Sequence, residues 1–291
     1  MKYTLMILLS SIWLYANACH HGICTSDIQA NRFIHSYDGN MTPILNQIYT
    51  SHKLSDQNNP LDVIVIDPGH GGRDKGCSGE NSVEKSITLD LSKQLKKIIE
   101  SQLPEIEVIL TRDRDQFLSL KKRADIANQY AADIFISIHC NYLRNAKYFR
   151  GSEIFVLGRD ESNKESEELA FRENSSIELE ESYKENYGGF DPLSPESYIL
   201  FSMIQSLHLD NSILLASFTE EQLVNSTSVK SKGVKQGAFV VLKETNMPSI
   251  LVETGYLSNE KDERLLTTKK GQVSVVEGLF NGIVAYKQFV E

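Results

Sequence analysis

From Leu61 onward, apolar residues follow two alternating periods. Short runs rich in Val, Ile and Phe read as strands: Val63 to Ile66, Ile106 to Thr111, Ile134 to Ile138, Glu153 to Leu157, Gln236 to Leu242 and Ser249 to Glu253. Between them, apolar positions recur at helical spacing. Asn81 to Glu100 carries Ile87, Leu91, Leu95, Ile98 and Ile99, and Leu118 to Tyr130 sets Leu120, Ala124 and Ala127 on one face. A helical stretch runs from about Pro195 to Leu223, and Val273 to Val290 follows with Val276, Leu279, Phe280, Ile283 and Val284 inward. Strands and helices in alternation predict an α/β fold with a largely parallel sheet. Arg159 to Glu185 breaks the rhythm with Glu, Ser and Asn, and Gly188-Gly189 follows.

The first sixty residues follow neither period. Lys2 precedes an apolar run from Leu5 to Tyr15 and then Ala16-Asn17-Ala18-Cys19. A basic start, a short apolar core and small residues at alternate positions spell a secretory signal over residues 1–18. Cleavage after Ala18 leaves Cys19 first, which suits lipid attachment, although Ala16 stands where such signals usually carry Leu. Simple cleavage to a soluble chain is the other outcome. Residues 19–60 are polar and read as a tether or arm, and residues 61–291 hold the folded domain.

The 291 residues carry a net charge of −9 with no basic stripe, which argues against nucleic acid as a partner. Membrane contact is expected only through an N-terminal lipid. Of the four cysteines, Cys19 and Cys24 lie near the mature end, and Cys77 and Cys140 each lie close to a histidine. The latter two are either a pair that oxidises after export or two small buried thiols.

Candidate chemistry gathers at strand ends. Val63 to Ile66 stops at Asp67-Pro-Gly-His-Gly-Gly72, so His70 sits just past a core strand, and His139 follows Ile134 to Ile138 in the same way. In open α/β sheets that edge is where ligands bind. Two imidazoles there suit a zinc ion, which takes a third protein ligand and keeps one position open in catalytic sites. Glu84 fits as that ligand, although Asn81-x-x-Glu84 is also a helix-capping pattern. Glu253, at the end of an apolar strand, suits a general base; its bland alternative is a carboxylate satisfied by loop amides.

Six motifs in order carry a family resemblance. Asp67-Pro-Gly-His-Gly-Gly72, Val83-Glu-Lys85, Leu110-Thr-Arg112, Arg123-x-x-x-x-Asn128, Ser137-Ile-His-x-Asn141 and Met247-Pro-x-x-Leu-Val-Glu-Thr-Gly255 resemble the zinc-dependent N-acetylmuramoyl-L-alanine amidases of bacterial cell division and cell-wall lysis. The resemblance implies a single α/β domain with a central, largely parallel or mixed sheet flanked by helices. It implies one Zn2+ per chain on His70, Glu84 and His139, Glu253 as the catalytic glutamate, and Asn141 as a supporting residue. The implied reaction is hydrolysis of the amide between N-acetylmuramic acid and L-alanine, in peptidoglycan or a lipid-linked muropeptide. The implied setting is the envelope or periplasm, with a protein activator as a further partner. Cys77 and Cys140 depart from the small residues usual at their positions, and residues 159–197 align loosely.

Two rival readings and one regulatory reading accompany this. Ser82-Val-Glu-Lys85 is a Ser-x-x-Lys, the nucleophile motif of serine D-Ala-D-Ala carboxypeptidases, although no Lys-Thr-Gly partner is present. A non-catalytic peptidoglycan-binding descendant is the other rival. In regulated family members an inserted helix covers the zinc and offers it a glutamate. Here Glu161 to Ser197 offers Glu173, Glu178, Glu180, Glu181 and Glu185, with Gly188-Gly189 as a hinge, and the sequence does not choose among them. A solvated acidic loop is the alternative.

Overall fold

The computed structural model describes residues 60–144, 147–158, 163–180, 208–227 and 229–291. The expected signal segment, the tether, Cys19, the first half of the helix expected from Pro195, Glu181, Glu185 and Gly188-Gly189 lie outside the described residues.

Six strands form one sheet: β1 (Val63–Pro68), β2 (Glu107–Leu110), β3 (Ile134–Asn141), β4 (Ser152–Leu157), β5 (Ser231–Gly237) and β6 (Ser249–Tyr256). Their order is β2-β1-β3-β6-β4-β5. All neighbouring pairs run parallel except β4 against β6, so the sheet is mixed, as expected. Seven α-helices complete the described fold: α1 (Glu84–Gln102), α2 (Leu120–Gln129), α3 (Lys164–Asn174), α4 (Leu209–Thr227), α5 (Val240–Lys243), α6 (Glu260–Thr267) and α7 (Lys269–Val290). Contacts group Leu61–Lys287 as one compact unit.

Alternation along the strands separates two faces. On one, Val65, Phe135, Leu251 and Phe155 form a buried layer with Phe239, Val241 of α5, Leu169 of α3 and Ala127 of α2. The Phe155 and Phe239 rings meet at 5.1 Å between centroids. Each buried Val, Leu or Phe side chain among them stabilises the fold by roughly 1.5–3 kcal/mol. On the same face, one pleat nearer the carboxyl ends of β1, β3 and β6, the cross-strand partners are Asp67 and Ser137, and then His139 and Glu253. The apolar layer thus turns polar at the sheet edge.

Three expectations need correction. The run from Gln236 to Leu242 is the end of β5 followed by the short helix α5, not a strand. All four α5 residues are buried, so no polar position marks its period. The stretch after Arg159 holds α3 and a 3-10 turn, Ser175–Leu179. The buried positions of α3 are Ser166, Leu169, Ala170, Glu173 and Asn174, a helical stripe written mostly in polar residues. Finally, α1 begins at Glu84 with Val83 as N-cap and no side-chain cap, so Asn81 does not cap it.

Candidate metal centre

The loop after β1 is shaped by what its residues lack. A Cβ on Gly69 would stand 2.5 Å from ring atoms of His139. Gly76, at φ +65°, leaves room in the same way for Glu84 and His70, each within 2.6 Å of such a Cβ. His70 itself has φ 60°, a conformation rare for a side-chain-bearing residue and typical of functional sites. Two buried arginines hold this backbone. Arg112 donates to the carbonyls of Pro68 and Gly69, and Arg123 donates to those of Pro68 and His70. Arg123 also pairs with Asp67 at 2.7 Å.

Four buried side chains converge at the sheet edge: His70, Glu84, His139 and Glu173, with one ligand atom each within 4.8 Å of the others. Nε2 of His70 lies 3.1 Å from Oε1 of Glu84 and 3.1 Å from Oε2 of Glu173. Nδ1 of His139 lies 3.2 Å from the same two oxygens. Despite these distances, His70 Nε2, His139 Nδ1 and Glu173 Oε2 make no hydrogen bond. They crowd around one point instead, with the ligand atoms all within 4.8 Å of one another. Buried polar atoms left unpaired are costly, and a cation at that point would satisfy all of them. Two imidazoles and two carboxylates are the donor types zinc takes.

The surroundings fix each donor. Glu84 accepts from the backbone amides of Cys77 at 2.8 Å and Cys140 at 2.9 Å, which overturns its capping reading. Cys77 and Cys140 are free thiols; Cys77 Sγ donates to the Cys140 carbonyl at 3.1 Å. Asp74, which sequence reasoning missed, lies 2.9 Å from Nδ1 of His70. Its only signal was position, four residues past His70 in a glycine-rich loop. Burial alone would lower the pKa of both imidazoles, but the facing carboxylates outweigh it. His70 stands well above its ordinary value through Glu84, Asp74 and Glu173, and His139 is raised to about 9 through Glu173 and Glu84.

Glu253 is fully buried, and neither carboxylate oxygen has a hydrogen-bond partner. Burial first, then the charge of Glu173, pushes its pKa well above the ordinary carboxylate value; His139 and Arg172 oppose this.

Glu173 is the one acidic residue of its described segment that reaches the cluster. Glu178 is exposed, and Glu180 accepts from the Leu120 amide at the start of α2. Arg172 ties α3 to the end of β3, donating to the Tyr142 carbonyl at 2.8 Å and to Oδ1 of Asn141 at 3.0 Å. Asn141 therefore helps to hold α3 at the end of β3. Asn174 bonds the Ala238 carbonyl and the Val240 amide.

Ser82 and Lys85 do not form the serine–lysine pair of the rival carboxypeptidase reading. Ser82 Oγ donates to Glu263 at 2.7 Å, and Lys85 donates to Asp115 at 2.7 Å and to the Gly72 carbonyl. Three residues apart at the start of α1, they are drawn to different partners.

The Amidase_3 family model, described as N-acetylmuramoyl-L-alanine amidase, matches residues 64–285. The chain is 34% identical over 226 residues to the amidase AmiA of Escherichia coli (strain K12), covering 77% of this chain and 75% of that one. Among solved structures, it resembles the N-acetylmuramoyl-L-alanine amidase of Clostridium difficile 630 with a TM-score of 0.59 and 27% identity, covering 78% of this chain and 97% of that one. It also resembles the CwlD amidase of Clostridioides difficile, solved in complex with the GerS lipoprotein, with a TM-score of 0.56 and 25% identity, covering 77% of this chain and 98% of that one. With a family match spanning most of the chain and a fold and buried donor set in keeping with it, the protein belongs to the N-acetylmuramoyl-L-alanine amidase family of bacterial cell-wall amidases.

Proposed function

We propose that this amidase is zinc-dependent, with His70, Glu84 and His139 as the ligands and Glu253 as the proton carrier. The observation that carries the reading is the set of buried, unbonded atoms of His70, His139 and Glu173 that gather in one cluster with Glu84. Bound zinc supplies Lewis acidity, lowering the pKa of water and polarising a carbonyl. Glu253, beside His139 across the β3–β6 pair, takes a proton from the attacking water. It returns that proton to the departing nitrogen of L-alanine, leaving a muramyl carboxylic acid and a free peptide amine. Gly69 and Gly76 keep the ligands at their places, and Asp74 holds His70 in the tautomer whose Nε2 faces the cluster.

The same reading makes α3 a plug. Glu173 fills the position that a reacting water needs, so the enzyme rests closed until α3 moves. Withdrawal also removes the charge that, after burial, does most to raise the pKa of Glu253. A protein activator fits this role, and the complex of the similar CwlD with a lipoprotein supports one. Export through residues 1–18, lipid attachment at Cys19, action on polymer or lipid-linked precursor, and a part in cell division complete the proposal.

The test is metal analysis with mass spectrometry of products from a defined muropeptide, with and without chelator. One zinc per chain, its loss in His139→Ala, and chelator-sensitive release of the intact peptide are expected. Wild-type zinc content in His139→Ala sinks the ligand assignment, and turnover that survives chelation sinks the zinc mechanism.

A further inference from the structure

No hydrogen bond aims the carboxylate of Glu253, so its backbone has to. That backbone is irregular at this point. Along the β3–β6 pair His139 lies opposite Glu253, but Asn141 lies opposite Tyr256, so two steps on β3 span three on β6. The extra residue is a bulge, a device that bends a strand and re-aims side chains beside active sites. Its effect is visible in the faces of the sheet. In a regular strand, residues three apart point to opposite faces. Glu153 is the partner of Glu253 across the β4–β6 pair, so those two share a face. The Tyr256 hydroxyl nevertheless bonds Glu153. The bulge thus brings Tyr256 round to the side of Glu253.

The bulge is tied on both flanks. Toward β3, the Thr254 hydroxyl donates to the His139 carbonyl at 2.9 Å, and the Leu257 amide donates to the Asn141 carbonyl at 2.8 Å. Toward β4, the buried Asp262 accepts from the amides of Tyr256 at 3.1 Å and Gly151 at 2.8 Å. The Tyr256 hydroxyl adds a tie to the residue opposite Glu253. Glu153 is a firm anchor for it. It is buried, with Lys235 3.2 Å from Oε2 and Lys232 3.5 Å from Oε1. Lys232 is itself seated over the Phe149 ring, 4.1 Å from its centroid. A buried carboxylate is costly unless it is paired in this way, and neither the metal cluster nor the plug uses this one.

We infer that Glu153 and Tyr256 are positioning residues for Glu253: together they pin the bulge and so set where that carboxylate stands against the cluster of His70, Glu84 and His139. Neither touches the metal ligands or the reacting atoms; both act through Glu253. The inference rests on the reading of Glu253 as the proton carrier.

A double-mutant cycle in the full chain tests it, with turnover of a defined muropeptide followed by mass spectrometry over long incubations. Tyr256→Phe removes the hydroxyl and keeps the ring, while both lysines still compensate Glu153. Glu153→Gln removes the anchor's charge from the other side. For each, kcat is expected to fall about tenfold with KM and metal content unchanged, since a misplacement of about 1 Å can cost about 10²-fold. Melting curves check the fold. In a Glu253→Gln background, Tyr256→Phe is expected to change turnover less than about twofold, because no carboxylate is left to aim. Three results overturn the inference: the same tenfold loss in that background, a loss that follows metal content, or unchanged kcat in both folded single variants. Near-normal turnover of Glu253→Gln alone is a different failure, that of the proton-carrier reading.

Discussion

Asp74 accepts a 2.9 Å hydrogen bond from Nδ1 of His70. A carboxylate only accepts, so Nδ1 carries a proton, and Nε2 is the nitrogen that is freed for a metal when the ring loses its other proton. The same aspartate accepts from the Gly76 amide at 3.1 Å, so it fixes both the ring and the loop. Asp74→Ala is therefore expected to weaken metal binding by roughly 10–100-fold, the usual effect of losing such an outer partner. Competition with a chelator of known affinity measures it. Wild-type affinity would remove Asp74 from this role.

Glu173 gives the second prediction. Arg172, Asn174 and Glu180 hold its segment at three further places, so a single substitution at Glu173 leaves the segment folded and removes only its hold on the histidines. Glu173→Ala is expected to raise hydrolysis by purified protein on the order of tenfold, if closed molecules outnumber open ones by that much. A folded variant with unchanged or lower activity means that Glu173 is no restraint.

Glu253→Gln separates chemistry from structure. The change is nearly isosteric, and the carboxylate it replaces is buried without a hydrogen-bond partner. Turnover is expected to fall about 10²–10⁴-fold, the contribution of a general acid–base group. Metal content should persist, and the melting temperature should hold or rise, because an unpaired buried carboxylate is replaced by a neutral amide. Near-normal turnover in the metal-loaded variant contradicts the assignment.

Acid stability follows from Asp67. Burial works against its charge, but Arg123, Thr111 and Ser137 outweigh burial and hold its pKa below the ordinary value. The folded-state pKa is thus depressed. Its contribution to stability is full above the unfolded-state value of about 3.9 and is lost as pH falls through the folded-state value. Denaturant midpoints should therefore drop below about pH 4 in the wild type. Asp67→Asn, less stable at neutral pH because Arg123 is left unpaired, should lose less over that acid range. An equal acid loss in both proteins refutes the account.

Strands β1, β3, β4 and β6 were legible because they are largely apolar and buried, and the positions of His70, His139 and Glu253 followed from where those runs stop; β5, a polar and partly exposed strand, was missed. The strands themselves run further, to Asn141 and Tyr256, because polar side chains at the edge are buried as part of the site. Helix α3 was not legible, since Ser166, Glu173 and Asn174 occupy core positions that a hydrophobic pattern does not mark. Which glutamate met the histidines was undecidable for the same reason. The Ser82–Lys85 motif misled because four residues of sequence say nothing of partners such as Glu263 and Asp115, which arrive from distant parts of the chain.

Empty space at Gly69 and Gly76 sets a limit on recognising such enzymes by their ligands. An alanine methyl at Gly69 would stand 2.5 Å from the His139 ring, and one at Gly76 would stand 2.5 Å from a Glu84 oxygen. Either substitution would push a proposed ligand off its mark while His70, Glu84 and His139 all remained in the sequence. A homologue can therefore score as a complete enzyme by its histidines and glutamates and still be unable to bind its ion. Excluded volume beside a donor atom belongs in the signature along with the donor.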